Sequence, residues 1–197
     1  MAPITRILII ANVLVYLFEL GGVPLFGHFA LWPPNAGFQP VQLVTYGFLH
    51  GGTMHLAFNM LGLYTFGSAV ERLFGARFYL AYYFGSVVVA GITHLVVTSF
   101  LGGPPVPTVG ASGGVYGLLL AFGVFFPHRT VVLLIPPIPM KARTFVVVFA
   151  AIELFFGVTG TASGVAHFAH LGGMLGAWLM LSWWRGRLPF GGPTRRR

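Results

Sequence analysis

Charged side chains are scarce in this chain, since Asp, Glu, Lys and Arg together account for 7% of its 197 residues. Soluble domains carry about 25% charged residues, and so small a set cannot cover a water-exposed surface. Hydrophobic residues make up 56% of the sequence and aromatic residues 16%. The composition therefore excludes an ordinary soluble domain and indicates a protein whose outer surface faces lipid.

Cysteine is absent, which excludes disulfides and cysteine-based metal sites. Aspartate is also absent, so a Ser-His-Asp triad cannot be assembled from this sequence. No H-E-x-x-H segment occurs among the histidines. A metal bound by His167 and His170 would need a further ligand from Glu19 or Glu153, and we expect neither a metal nor a cofactor.

Long apolar runs dominate the sequence, and a spanning helix needs about 20 mostly apolar residues. We predict an all-α polytopic membrane protein with one six-helix domain at 1–188 and a basic, disordered tail at 189–197. The first run resembles a signal peptide, but no A-x-A cleavage site follows it, so we interpret it as a retained span. The six predicted spans are residues 4–20, 53–69, 77–100, 112–126, 143–159 and 165–184.

The eleven Lys and Arg residues give a net charge of +8, and all of them fall on one side of this arrangement. The connections on the other side, at 21–52, 101–110 and 160–164, contain none. The positive-inside rule makes the basic side cytoplasmic, and an even number of spans leaves both termini there. Because the charges lie singly or in pairs between apolar runs, apart from the tail, we expect no nucleic-acid partner.

The fourth predicted span is short. At 1.5 Å per residue, residues 112–126 reach about 22 Å, less than the ~30 Å hydrocarbon core. We therefore expect this helix to begin below the outer membrane surface. Irregular backbone at that depth requires protein or water around it, which indicates a hydrated cavity open to the outside.

Ser112 stands at this sunken helix start, within Gly110-Ala111-Ser112-Gly113. One interpretation is an N-cap in a glycine-rich packing face. The other is a nucleophile, because free backbone N–H groups and the positive end of the helix dipole would stabilise an oxyanion there. The local sequence does not distinguish them, so the partner residues must decide.

The sixth span offers His170, about a turn and a half from its outer end, near the depth inferred for Ser112. Gly173 follows on the same face, and Gly113 supplies a small residue on the fourth span. Small residues let two helices approach closely, as a Ser–His hydrogen bond requires. His167, one turn earlier, is the competing base, and we expect it to be a solvated residue at the rim.

The second span carries His55 and Asn59, which are four residues apart and share one helical face. Their side chains suit donors to a developing oxyanion. The alternative is an interhelical hydrogen-bond pair that holds the spans together, and both roles are compatible. His50 is expected to order the loop before this span.

The acids contribute little to the predicted site. Glu71 is cytoplasmic in the predicted topology and cannot reach the outer cavity. Glu19 and Glu153 are not excluded by depth, and Glu153, if buried, must be protonated or paired. The simpler interpretation is a two-residue Ser–His unit whose imidazole packs against Tyr116, one turn after Ser112.

These motifs together resemble those of the rhomboid family of intramembrane serine proteases, over nearly the whole chain. The resemblance is carried by G-x-S-G at 110–113, A-H-x-x-G at 169–173, H-x-x-x-N at 55–59 and E-x-x-x-G at 71–75. It implies that Ser112 is the nucleophile and His170 the base. The oxyanion site would consist of His55, Asn59, the N–H of Ser112 and the adjacent Gly110. Tyr116 would stack on the imidazole, and Gly113 and Gly173 would be supporting residues.

The resemblance also implies a mobile cap at 160–164 and a lateral gate at the fifth span. One feature departs from the family. Its members often carry a Trp-Arg pair in the first outer loop, and Gln42 stands where that arginine is expected. We therefore do not expect the usual anchoring of this loop.

The leading hypothesis is a serine endopeptidase of the bacterial inner membrane, with an active site that opens to the outer face. Its partners would be the bilayer and single-span membrane substrates. The alternative is a catalytically silent rhomboid-like protein that binds membrane clients, which loss of the serine or histidine would favour, and both are present. A transporter would want an inverted repeat, and none is evident. Substrates and oligomeric state stay open.

The charge asymmetry predicts the topology. Because this chain lacks cysteine, the single variants Gly103→Cys and Arg196→Cys each introduce one reactive site. An impermeant maleimide is expected to label them from opposite faces of the membrane, with Arg196→Cys on the cytoplasmic side. Labelling of both from the same face would refute the six-span topology.

Overall fold

The structure is a computed structural model and describes residues 1–101, 105–133, 136–160 and 165–187. The predicted tail and most of the predicted cap, at 161–164, lie outside the described residues. The elements, in chain order, are α1 Pro3–Leu20, α2 Phe26–Phe29, a 3₁₀ turn Pro34–Ala36, α3 Gln42–Thr45, a 3₁₀ turn Tyr46–Phe48, α4 Thr53–Gly62, a π turn Leu63–Gly67, α5 Ser68–Phe74, α6 Ala76–Leu101, α7 Ser112–Phe125, β1 Thr130–Val132, β2 Pro139–Lys141, α8 Ala142–Thr159 and α9 His167–Trp184.

Helices occupy the six apolar segments of the sequence. Among the described residues, α1, α6 and α8 are long and apolar enough to cross a membrane, judged by length and composition. Helix α7 is apolar but has only 14 residues. The fold is thus mostly helical, with three clear candidate transmembrane helices.

The connection between α7 and α8 contains a feature that the prediction of an all-α fold missed. Strands β1 and β2 pair antiparallel, with Thr130 opposite Lys141. The three residues of β1 are all β-branched, which favours extended backbone. The prolines at 136, 137 and 139 prevent a helix from continuing through this segment. A short hairpin is therefore the local structure that the sequence allows.

The second helical segment extends beyond its predicted end at residue 69. The π turn joins α4 to α5 without a break, so the helix continues to Phe74. The helix ends at Gly75, whose φ of 76° is a backbone conformation that favours glycine. Glu71 therefore lies inside a helix, two residues beyond the predicted end of the second span, and is 5% exposed.

Glu71 ties the start of α1 to α5. Its carboxylate accepts the backbone N–H of Ile4 at 2.9 Å and that of Thr5 at 2.7 Å. The Thr5 hydroxyl also donates to it, at 2.8 Å. First-turn N–H groups have no partner within their own helix, so this carboxylate caps α1 from a distant part of the chain.

Gln42 anchors the loop between α1 and α4, contrary to the expectation from its departure from the family pattern. Its side chain is 1% exposed. The amide oxygen accepts the backbone N–H of Trp32 at 3.2 Å and of Gln39 at 3.1 Å. The amide nitrogen donates to the carbonyl of His28 at 3.1 Å. The uncharged amide of Gln42 thus links two parts of the loop, at His28 and Trp32 and at Gln39.

Helices α6, α7 and α9 meet at the centre of the molecule. A Cβ added at Gly173 on α9 would overlap the backbone carbonyl of Gly113 on α7. Tyr82 on α6 is fully buried, and its hydroxyl donates to the carbonyl of Gly117 at 2.8 Å. Glycine is therefore required where α7 and α9 touch, because a side chain of any size would separate their backbones.

We expect Gly173→Ala to lower the free energy of unfolding by about 1–3 kcal/mol, the usual cost of overpacking. Alanine has a higher helix propensity than glycine. A loss of stability in this variant would therefore come from the steric overlap between α7 and α9 and not from helix propensity. Gly27→Ala is the matched control, since a Cβ there meets nothing within 4 Å. Equal thermal midpoints for the two purified variants would contradict this account.

Candidate active site

Ser112 and His170 are brought together by the contact between α7 and α9. Ser112 is the first residue of α7, and His170 lies one turn into α9. The Oγ of Ser112 is 2.9 Å from Nε2 of His170. This distance is within the range for a nucleophile and its general base. The arrangement can therefore remove the hydroxyl proton of Ser112 when a substrate carbonyl is present.

Tyr116, one turn after Ser112, forms a flat platform for the imidazole. Its ring centroid lies 4.3 Å from that of His170, with an interplanar angle of 7°. The stacked ring limits rotation of the imidazole about its Cβ–Cγ bond. His170 itself is buried, so its Nε2 is presented to Ser112 in one orientation.

The residues just before Ser112 are held in an extended segment. Thr108 pairs with Leu31 through two backbone hydrogen bonds, and its Oγ1 lies 2.6 Å from Nε2 of His94. The N–H of Gly110 donates to the carbonyl of Tyr46 at 2.9 Å. These contacts fix the backbone that leads into α7.

Gly110 allows His55 to approach Ser112. Its φ of 129° lies in the region that favours glycine. A Cβ added there would be 2.7 Å from Nε2 of His55 and 3.6 Å from Oγ of Ser112. The imidazole of His55 therefore lies against the Gly110 backbone, beside Ser112.

Asn59 lies one turn after His55 on α4 and is 4% exposed. One of its amide hydrogens is donated to the carbonyl of His55 at 2.9 Å, which leaves a second for another acceptor. His50, in the preceding loop, packs edge-on to His55 with ring centroids 5.2 Å apart. Burial, with a smaller effect of His55, lowers the pKa of His50 to about 4, so its ring is neutral at pH 7.

A cavity of about 1190 Å³ opens beside these groups. Its walls include Ser112, His170, His55 and Asn59. It extends from the loop that carries Pro33 to the hairpin between α7 and α8. Pockets for small molecules are typically about 300–1,000 Å³, so this cavity also has room for a short stretch of polypeptide.

His167 does not lie at a solvated rim, so that expectation was wrong. It is 8% exposed, and its Nδ1 is 2.6 Å from Oε2 of Glu153 on α8. The His167 ring is buried because it pairs with the buried carboxylate of Glu153. Among the described residues, it is His170 whose ring nitrogen lies within hydrogen-bond distance of Ser112 Oγ, while Nδ1 of His167 points to Glu153.

Glu153 is the residue of the site that the sequence interpretation gave no role. The hydroxyl of Tyr116 donates to its Oε1. Nδ1 of His170 lies 3.0 Å from the same oxygen, within ion-pair distance, although its N–H is not aligned for a regular hydrogen bond. A single acid in the middle of an apolar helix is costly and marks a functional position, and that signal was present in the sequence.

Glu153, His167 and His170 are also the residues that best suit a metal ion within the described ranges, with ligand atoms within 4.8 Å of one another. Zn²⁺ holds its ligands at about 2.0–2.1 Å, which sets tetrahedral neighbours roughly 3.3 Å apart. The observed 2.6 and 3.0 Å contacts of the carboxylate are shorter than this. These atoms are spaced as hydrogen-bond and ion-pair partners.

Comparison with known proteins identifies relatives. The rhomboid domain model matches residues 37–186. Rhomboid protease GluP of Bacillus subtilis is 33% identical over 136 residues, 68% of this chain and 24% of that protein. Rhomboid protein 1, mitochondrial, of Saccharomyces cerevisiae is 30% identical over 143 residues, 68% of this chain and 39% of that protein. Presenilin-associated rhomboid-like protein A, mitochondrial, of Danio rerio is 31% identical over 150 residues, 74% of this chain and 38% of that protein.

The chain thus spans between 24% and 39% of the length of these three relatives. The matched region nevertheless includes every helix from α3 to α9. Since the domain model covers well over half of the chain, this protein is an integral membrane protein that belongs to the rhomboid family, whose members are generally intramembrane serine proteases.

Proposed function

We propose that this chain is an intramembrane serine endopeptidase that cleaves single-span membrane proteins near the outer membrane face. Ser112 is the nucleophile and His170 the general base. The observation that carries the proposal is the 2.9 Å separation of Ser112 Oγ from His170 Nε2, at the wall of a cavity large enough for polypeptide. A protein that only bound membrane clients would not need this geometry.

The first half of the reaction forms an acyl-enzyme. Nε2 of His170 takes the hydroxyl proton of Ser112 as Oγ attacks the scissile carbonyl carbon, and the carbonyl oxygen becomes an oxyanion. The intermediate collapses when the C–N bond breaks and the imidazolium returns its proton to the departing amine. The acyl group is then an ester on Ser112, and His170 is neutral again.

Water completes the second half. A water molecule in the cavity gives one proton to Nε2 of His170, and its oxygen attacks the ester carbon. The second tetrahedral intermediate expels Oγ, which regains the proton from the imidazolium. The products are a new carboxyl terminus and a free Ser112, so the cycle needs no metal or cofactor.

The oxyanion is stabilised by donors at the start of α7 and on α4. The N–H of Ser112 belongs to the first turn of a helix, where N–H groups lack helical partners. His55 lies against Gly110 beside this N–H, and Asn59 lines the same cavity. Three donors from two helices would then surround the developing negative charge.

Six spans with both termini cytoplasmic place the site toward the outer face of a bacterial inner membrane. In this topology, the 14-residue α7 begins below the membrane surface, and water enters the cavity from outside. Helix α8 provides the lateral opening. Its buried residues are Ala142, Phe145 and Glu153, whereas Val147 and Phe155 are 67% and 61% exposed.

The nucleophile and base are tested by three alanine variants of the purified protein with a single-span reporter substrate. We expect Ser112→Ala and His170→Ala to lose at least about 10³-fold in kcat. His167→Ala should retain turnover within about tenfold of wild type, because Nδ1 of His167 points to Glu153. A serine-directed fluorophosphonate should modify Ser112 alone. An inactive His167→Ala beside an active His170→Ala would reverse the assignment of the base.

The oxyanion donors are tested by Asn59→Ala. Loss of one donor typically costs about 10²–10³ in rate, so kcat should fall by that factor while the protein stays folded. His55→Ala should behave similarly, and the double variant should lose less than the product of both, since the donors serve one oxygen. If the variants instead lose thermal stability and keep turnover per folded molecule, both residues are structural.

A further inference from the structure

Glu153 occupies an unusual position in α8, whose other buried residues, Ala142 and Phe145, lie near its start. It is 6% exposed, while residues on either side along the helix, such as Ile152 and Leu154, are 40% and 53% exposed. Its carboxylate reaches across to α7 and α9 and contacts three side chains there. None of the steps proposed above uses it, and a buried carboxylate is expensive unless it is paired.

We propose that Glu153 is a positioning residue for the reaction, which orients His170 so that the catalytic unit is Ser112–His170–Glu153. The proposal rests on the proposed function, because it concerns the same nucleophile and base. It assigns to this chain an acid that the two-residue interpretation of its sequence did not contain.

The carboxylate of Glu153 favours one tautomer of His170. To act as base toward Ser112, Nε2 must carry a lone pair, so in the neutral ring the proton resides on Nδ1. Nδ1 lies 3.0 Å from Oε1 of Glu153. An ionised carboxylate only accepts hydrogen bonds, so it favours the tautomer with the proton on Nδ1. Contacts of this kind often tighten only when the substrate is bound.

The charge of Glu153 also stabilises the protonated form of His170. When Nε2 takes the Ser112 proton, the ring becomes a cation inside a protein embedded in lipid. Its Nδ1 then faces the negative Oε1 at 3.0 Å, where water is largely excluded and the attraction is strong. The interaction is greater for the imidazolium than for the neutral ring, so it lowers the barrier and not merely the ground state.

The same carboxylate also holds Tyr116, the platform under the imidazole. The Tyr116 hydroxyl donates to Oε1, while the Tyr116 ring stacks on His170. On the other side, Nδ1 of His167 lies 2.6 Å from Oε2. Both oxygens are therefore fixed, and His170 is constrained at its edge by Glu153 and at its face by Tyr116.

The other two acids show by contrast what a structural carboxylate looks like. Glu71 accepts backbone and hydroxyl groups at the start of α1 and contacts no residue of the site. Glu19 receives one long hydrogen bond, from the His50 N–H at 3.4 Å. Of the three acids in the chain, Glu153 alone touches the Ser–His pair.

The test uses Glu153→Gln in the full-length protein, because glutamine keeps the shape of the side chain and removes its charge. We expect kcat to fall by about 10²-fold or more while KM stays within about threefold, with turnover counted per folded molecule. For comparison, the acid-to-amide change in a Ser-His-Asp triad costs roughly 10⁴ in kcat. Glu71→Gln is the matched control and should lower the thermal midpoint with turnover within about twofold of wild type.

A double variant separates positioning from structural damage. The rate at which a fluorophosphonate modifies Ser112 is measured for wild type, Glu153→Gln, His170→Ala and the pair. If Glu153 acts through His170, its substitution slows the wild type and adds less than threefold in the His170→Ala background. Equal slowing in both backgrounds, or wild-type kcat in Glu153→Gln, would overturn the proposal.

Additional variants and controls test the proposal if Glu153→Gln cannot be purified in folded form. If Glu153→Gln does not fold, Tyr116→Phe and His167→Gln each loosen the carboxylate and should lower kcat about three- to tenfold; unchanged kcat in both would overturn the proposal. Inactivation of the wild type by a chelator would overturn the proposal, because it would indicate that Glu153 binds a metal ion. A wild type that neither cleaves the reporter nor reacts with the fluorophosphonate would refute the proposed function itself, and the role of Glu153 with it.

Discussion

The backbone contact between Gly113 on α7 and Gly173 on α9 is the constraint on which the site depends. Helices normally pack with axes 8–10 Å apart, and side chains fill the space between them. Where both contacting residues are glycine, the axes approach more closely, and the residues just outside the contact can touch directly. Ser112 immediately precedes Gly113 and His170 is one turn before Gly173, so this single contact sets the distance between Oγ and Nε2.

The rest of the bundle supports that contact from the far side. Helix α6 carries the buried tyrosines Tyr79, Tyr82 and Tyr83. Tyr82 hydrogen-bonds the α7 backbone at Gly117. The loop before α7 is fixed by the Leu31–Thr108 pairing, and the start of α1 is fixed by Glu71. His55 and Asn59 on α4 and Glu153 on α8 therefore pack against a rigid centre formed by α6, α7 and α9.

The sequence predicted what depends on hydropathy and local spacing. The apolar runs located the helices, and the glycines flanking Ser112 and following His170 indicated a close approach. The sequence could not place Glu153 and His167. Their pairing depends on how α8 is rotated against α9, and the sequence of an apolar helix with a single acid does not reveal that rotation. The hairpin between α7 and α8 was missed for another reason: its few residues lie between long apolar runs, whose signal is stronger.

Gln42 has a consequence for how the chain enters the membrane. Its amide holds the loop between α1 and α4 together with contacts to Trp32, Gln39 and His28, and it does so without a charge. With glutamine there, every outer connection of the proposed topology is free of Lys and Arg. In that topology, no positive charge on the outer side would oppose the basic inner segments in setting the orientation of the chain.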